Sequence, residues 1–175
     1  MDTVKQELEF FEKRLMSYHI PRYEEFPSLE LYKDQIILVL SKNFAPFVYN
    51  EEEPILTSSM INNYVKHNII PPPNGKKYTR RHLAYITVVC FLKQVLSMNE
   101  IRELIHETLE TEDEYFIYTY FCEQLEKSFR ECCEKGGVSQ NQEQEETPNR
   151  SVYYSAKAVA YKLYAQKIIS LSSKN

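Results

Sequence analysis

The sequence predicts an all-α fold, a bundle of helices, on three observations. Apolar residues recur at steps of three and four along most of the 175 residues. Helix-capping residues stand ahead of those runs. Only 3 glycines are present, too few for a fold built on tight turns. Hydrophobic content of 43% against 26% charged is enough to build a core.

The elements follow in order. Val4, Leu8, Phe11 and Leu15 set one face of a helix over residues 2–17. Pro21 and Pro27 bracket an irregular segment, IPRYEEFP. Ser28 is the expected N-cap of a helix to about Phe44, with Leu29, Tyr32, Ile36, Leu40 and Phe44 as its apolar face. After the acidic turn NEEEP, Thr57 or Ser58 caps a short helix to about Asn68. The triple proline 71–73 and Asn74-Gly75 break the helical pattern and fit a tight hairpin. Thr79 opens a longer helix to about Leu96. Ser97-Met98-Asn99-Glu100 is a capping box, because the hydroxyl and the carboxylate can each take an orphan amide of the first turn. Ile101, Leu104, Ile105 and Leu109 continue that helix. A further helix is predicted over 112–134, with Phe116, Tyr120, Leu125 and Phe129 inward and Gly136-Gly137 as its end. The organisation expected is a helical domain over 1–134, a polar linker over 135–150 and a C-terminal helix over 151–175. The apolar face of that last helix needs a partner, either the core or a second copy in a homodimer.

The charge distribution is more informative than its total. The net charge is −4, yet no Asp or Glu occurs from Pro54 to Asn99. That window holds Lys66, Lys76, Lys77, Arg80, Arg81 and Lys93, a charge of +6. The remaining 15 cations and 25 acids leave the rest of the chain at −10. On the 57–68 helix, Ile61, Tyr64, Val65 and Asn68 share one face. Ser58, Ser59, Asn62, Asn63 and Lys66 share the other. Phosphates are bound by cations and neutral donors, and base edges by Asn, Ser, Arg or Lys, so this face suits a nucleic acid. The hairpin 74–81 adds Lys76 and Lys77 at its tip. Arg80 and Arg81 open the next helix, where a bound phosphate would offset their clash with the helix dipole.

These residues resemble the DNA-binding domain of MerR-type regulators. The resemblance lies in Met60-Ile61-Asn62-Asn63-Tyr64, Ile69-Ile70-Pro71, Gly75, Tyr78, Arg80-Arg81-His82-Leu83 and Met98-Asn99-Glu100-Ile101-Arg102-Glu103-Leu104. It implies a winged helix-turn-helix over about 28–110, embedded in the helical bundle. The segments LELYKDQ (29–35), LTSSMINNYVKHNII (56–70), KKYTRRHLA (76–84) and LKQVLSMNEI (92–101) are also similar to a bacterial domain-of-unknown-function family. The chain differs from MerR regulators at Asn62-Asn63, where they carry Arg-Tyr, and at Thr79, where their wing carries Arg.

The function expected is therefore a cytoplasmic transcription regulator that binds double-stranded DNA through the 57–68 helix and the 74–81 wing. The alternative is a protein-interaction adaptor on the same scaffold. An enzyme is not expected, since P-loop, GxSxG and HExxH motifs are absent. Cys90, Cys122, Cys132 and Cys133 lack metal-ligand spacing, and no cofactor is implied. No run of about 20 apolar residues suggests a membrane span, and the charged N-terminus does not read as a signal peptide.

Overall fold

A computed structural model describes residues 2–47, 54–133 and 149–172. Among them are seven α-helices and one two-stranded antiparallel sheet. The helices are α1 (Asp2–Met16), α2 (Lys33–Phe44), α3 (Ser58–Lys66), α4 (Arg80–Leu92), α5 (Met98–Thr111), α6 (Glu114–Cys133) and α7 (Arg150–Ser172). Strand β1 (Leu31–Tyr32) pairs with β2 (Lys77–Tyr78), Leu31 opposite Tyr78 and Tyr32 opposite Lys77.

α1 buries Phe11 and Leu15 and leaves Phe10 exposed. The segment after it is held by two side chains of α6: the Tyr118 hydroxyl donates to the Pro21 carbonyl at 2.6 Å, and one carboxylate makes the remaining bonds. Glu126, on α6, accepts from the backbone N–H of Ile20 at 2.7 Å and from both terminal nitrogens of Arg22 at 2.8 Å. His19 lies 3.6 Å from the same carboxylate. A nearly buried charge is tolerated only when paired and hydrogen-bonded, and here each requirement is met.

The helix expected with Ser28 as its N-cap has Tyr32 there instead, four residues later, and begins at Lys33. Leu31 and Tyr32 are drawn into the pairing with β2. The Gln35 side chain then accepts from the Tyr32 N–H at 2.9 Å and starts the helix there. Leu29 and Tyr32 therefore do not join the inner face. They are 76% and 54% exposed, while Ile36, Leu40 and Phe44 are buried as the periodicity requires.

α3 is bounded as its sequence demands. The Thr57 hydroxyl accepts from the Met60 N–H at 3.2 Å. At the other end Asn68 adopts φ +55°, the left-handed conformation that Asn tolerates. The N–H of Asn68 bonds to the Val65 carbonyl and that of Ile69 to the Tyr64 carbonyl. This doubled closure satisfies the last carbonyls, and Pro71 bars any continuation.

α4 is the central helix. Nine of its thirteen residues are buried, His82 and Thr87 among them. It stops at Leu92 rather than Leu96 because the chain tightens: Gln94 and Val95 donate to carbonyls only three residues back. This turn delivers Ser97 as the cap of α5. The capping box is formed in both directions, Ser97 N–H to Glu100 at 2.7 Å and Glu100 N–H to the Ser97 hydroxyl at 3.3 Å. Asp113 caps α6 through the N–H groups of Tyr115 and Phe116.

α6 buries Tyr118, Phe121, Leu125 and Phe129, with Tyr120 nearly so; Phe116 is exposed, against the predicted face. Its neighbour Ile117 takes the inward place, half-buried against the core. Asn149 caps α7 through the Val152 N–H at 3.0 Å. α7 packs along α6 and also touches α1 and α4, burying Val152, Ala156, Val159, Ala160 and Leu163 in the common core. Its apolar face thus finds a partner within the chain. Gly136-Gly137 and most of the polar stretch expected as a linker lie outside the described residues.

Replacing Glu126 by Ala removes the carboxylate anchor of the 19–25 segment and leaves Arg22 unpaired. The expected cost is about 3 kcal/mol, the low end for breaking such a pair because Arg22 is partly exposed. Urea denaturation followed by circular dichroism measures it. Arg22→Met together with Glu126→Met should be less damaging than Glu126→Ala, because no charge is then left uncompensated.

Candidate nucleic-acid interface

The outer face of α3 is built by its period. Ile61 and Tyr64 are buried, which leaves Ser58, Ser59, Asn62, Asn63 and Lys66 all exposed. No carboxylate lies on this helix, and its first turn has none to disturb an anion near the N-terminus.

The expected basic tip is a two-residue turn, Gly75-Lys76. Asn74 and Lys77 close it with reciprocal backbone bonds of 3.0 Å. Gly75 has φ +62°, which a residue with a side chain rarely adopts. A positive φ at the first central position alone matches a type II′ turn. Lys76 and Lys77 are exposed, and Tyr78 is buried.

One residue missed by the sequence reading joins these two surfaces. Lys33 donates from Nζ to Oδ1 of Asn62 at 2.5 Å. Its neighbour Tyr32 is the strand partner of Lys77. The turn is therefore connected to the outer face of α3 through one strand pairing and one side-chain bond. Lys33 lies outside the acid-free window. Only the LELYKDQ segment signalled it, and that segment reads as plain helix until its pairing with β2 is known.

The remaining cations of the window are engaged internally. Arg80 donates from Nε to the Phe26 carbonyl at 2.8 Å. Arg81 donates from Nε to Glu114 at 2.8 Å and from a terminal nitrogen to the same carboxylate, and Tyr85 donates its hydroxyl to it at 2.8 Å. The carboxylate holds the Arg81 pKa above its ordinary value. Lys93 donates to the Ile55 carbonyl, and burial lowers its pKa. Lys66, Lys76 and Lys77 form no ion pair with any described carboxylate. The structure thus separates the nine predicted residues. Ser58, Ser59, Asn62, Asn63, Lys66, Lys76 and Lys77 face solvent, Arg80 is half-buried, and Arg81 is exposed but paired.

Other reactive side chains serve the core. Burial pushes the thiols of Cys90 and Cys122 up to about 12, which suppresses the thiolate. Among the described residues no group of three or more His, Cys, Asp or Glu is placed to hold a metal ion. No helix there is long and apolar enough to cross a membrane.

A family model described as a domain of unknown function, DUF1836, matches residues 21–129, from within the anchored segment to the last buried turn of α6. No curated protein and no solved structure matches the chain.

His82 fixes the start of α4 against the proline loop. Its Nδ1 accepts from the Thr79 N–H at 3.0 Å, and Nε2 lies 3.2 Å from the Pro72 carbonyl oxygen, so the proton sits on Nε2. A second proton on Nδ1 would break the bond to Thr79. Burial accordingly holds the His82 pKa below its ordinary value. With a lowered folded-state pKa, this stability is complete above the unfolded value of about 6.5 and is lost as pH falls through the folded one. His82→Gln keeps an acceptor at the third helical position and does not titrate. Between about pH 7.5 and 5.5 the wild-type melting temperature should fall more than that of His82→Gln. Parallel curves would remove His82 from this role.

Proposed function

The chain belongs to the DUF1836 family, and from that premise we propose that it is a DNA-binding transcription regulator. In this reading β1, α2, α3, β2 and α4 act as a MerR-like winged helix-turn-helix. α3 enters the major groove, where Asn62, Asn63 and the two serines meet base edges and backbone. The 74–77 turn lies along the sugar-phosphate backbone.

The observation that carries the reading is the acid-free outer face of α3, connected to the basic turn through Lys33. In this reading Lys33, Lys66, Lys76 and Lys77 are the phosphate ligands, and Ser58, Ser59, Asn62 and Asn63 the groove-facing donors and acceptors. Arg81 is given less weight because it pairs with Glu114, and Arg80 because its half-buried guanidinium bonds to the Phe26 carbonyl.

A protein-interaction adaptor is the second reading. Leu29 and Tyr32 favour it, exposed apolar side chains beside the strand pair where a protein partner could bury them.

Duplex binding measured by fluorescence anisotropy across a salt series separates the readings. Lys66→Ala, Lys76→Ala and Lys77→Ala combined should reduce the slope of log K against log salt by about 3, close to one per lost phosphate contact. Arg81→Ala should leave that slope nearly unchanged. Absence of duplex binding at low salt, with a stoichiometric protein partner lost on Leu29→Ser, would establish the adaptor instead.

A further inference from the structure

Asn62 and Asn63 are neighbours on the outer face of α3, and their surroundings differ. The Oδ1 of Asn62 accepts from Lys33 Nζ at 2.5 Å. Its oxygen is therefore turned toward the start of α2 and is used within the protein. The side chain of Asn63 has no hydrogen-bond partner among the described residues. Both its amide hydrogens and its oxygen are open to an external ligand.

Helical spacing separates the two. At about 3.6 residues per turn, successive side chains leave the axis about 100° apart. Asn62 shares its edge of α3 with Ser58, beside Lys33. Asn63 stands in a row with Ser59, four residues before it, and Lys66, three after, all exposed and opposite the buried Ile61. No member of that row is acidic. Glu103 and Glu107 of α5 flank His106, whose Nε2 lies 3.4 Å from the Asn68 carbonyl oxygen, beyond the C-terminal end of α3.

A carboxamide with one donor and one acceptor side by side matches one base edge. In the major groove adenine presents N7, an acceptor, beside its N6 amino group, a donor. Guanine presents two acceptors there, cytosine a donor alone, and thymine an acceptor beside a methyl group. Adenine is thus the base that uses both halves of a free carboxamide. The neighbours in the row discriminate less. The Ser59 hydroxyl turns to suit a donor or an acceptor, and Lys66 only donates.

Given duplex binding through α3, on which this inference rests, we propose that Asn63 is the specificity-determining residue and reads an adenine. Its Nδ2 donates to N7, and its Oδ1 accepts from the N6 amino group. Lys33 and Asn62 form a separate unit at the phosphate backbone, where the Lys33 ammonium has two further donors to offer.

The test enriches duplexes from a library with a random core. It uses the full-length wild type, Asn63→Ala and Asn62→Ala, each checked by thermal melting. The wild type should select a site with a strongly preferred A·T pair. Asn63→Ala should lose the preference at that position alone, and Asn62→Ala should keep it. On the selected duplex, exchange of that pair for G·C should weaken wild-type binding at least about fivefold. Replacing its adenine by 7-deazaadenine removes the N7 acceptor and needs no protein variant. This change should weaken wild-type binding at least about threefold and leave binding by Asn63→Ala nearly unchanged. Salt-dependent binding with no such position, with one that Asn63→Ala retains, or with insensitivity to 7-deazaadenine would overturn the proposal and leave the regulator standing. Failure of every duplex to bind at low salt would remove both.

Discussion

Burial of α4 on nearly every side is the constraint from which the rest of the structure follows. A helix that is apolar all round must be enclosed, and this one is enclosed from two directions. α2 and β2 pack on it from the side of the strand pair, α6 and α7 from the other. Phe91 shows the junction: its ring lies 5.1 Å from Phe44 and 5.7 Å from Phe47, and 6.4 Å from both Phe121 and Phe129. Each such side chain, fully buried, contributes on the order of 2 kcal/mol. The α3 surface and the helical bundle are therefore not separable modules. They share one core, and a change in α4 is felt by both.

This constraint also explains a signal that has two causes. The 46 residues without an acid suggest a surface shaped for an anionic partner. Thirteen of those residues form α4, and at its nine buried positions a carboxylate is excluded whatever the protein binds. Most of the exposed positions of the window lie on α3 and the turn. The cations divide in the same way. Arg80, Arg81 and Lys93 make internal bonds, while Lys66, Lys76 and Lys77 face water. Sequence composition cannot distinguish a basic surface from a core that happens to be bordered by arginines. Side-chain partners can.

What was legible depended on the range of the interaction. The cap at Thr57, the stop before Pro71 and the box at Ser97–Glu100 are local, and each is present. The start of α2 was misplaced because its cause is distant: Leu31 and Tyr32 are claimed by residues 77–78, about 46 positions away. Glu126 was equally silent, one acid among many on a charge-patterned helix until Ile20 and Arg22 meet it. Of the candidate interface, the exposed residues of α3 could be read from period alone. Lys33 could not, since its place beside Asn62 rests on that same long-range pairing.

The acids of α6 give the chain's net negative charge a different meaning. Glu114 and Glu126 each neutralise an arginine from an earlier part of the chain, Arg81 and Arg22. Two of the charges that appear opposed to nucleic-acid binding are thus internal counter-ions. Paired groups contribute little field at a distance, because the two signs cancel within a few ångströms while salt screens the remainder over about 10 Å. Around α3 and the turn stand Lys33, Lys66, Lys76 and Lys77, with the exposed Glu30 and Asp34 beside β1 and α2; α5 brings Glu103 and Glu107 on either side of His106, which lies 3.4 Å from the Asn68 carbonyl oxygen. A protein of net charge −4 can in this way present a basic face, provided its remaining acids are concentrated in helices that fold away from it.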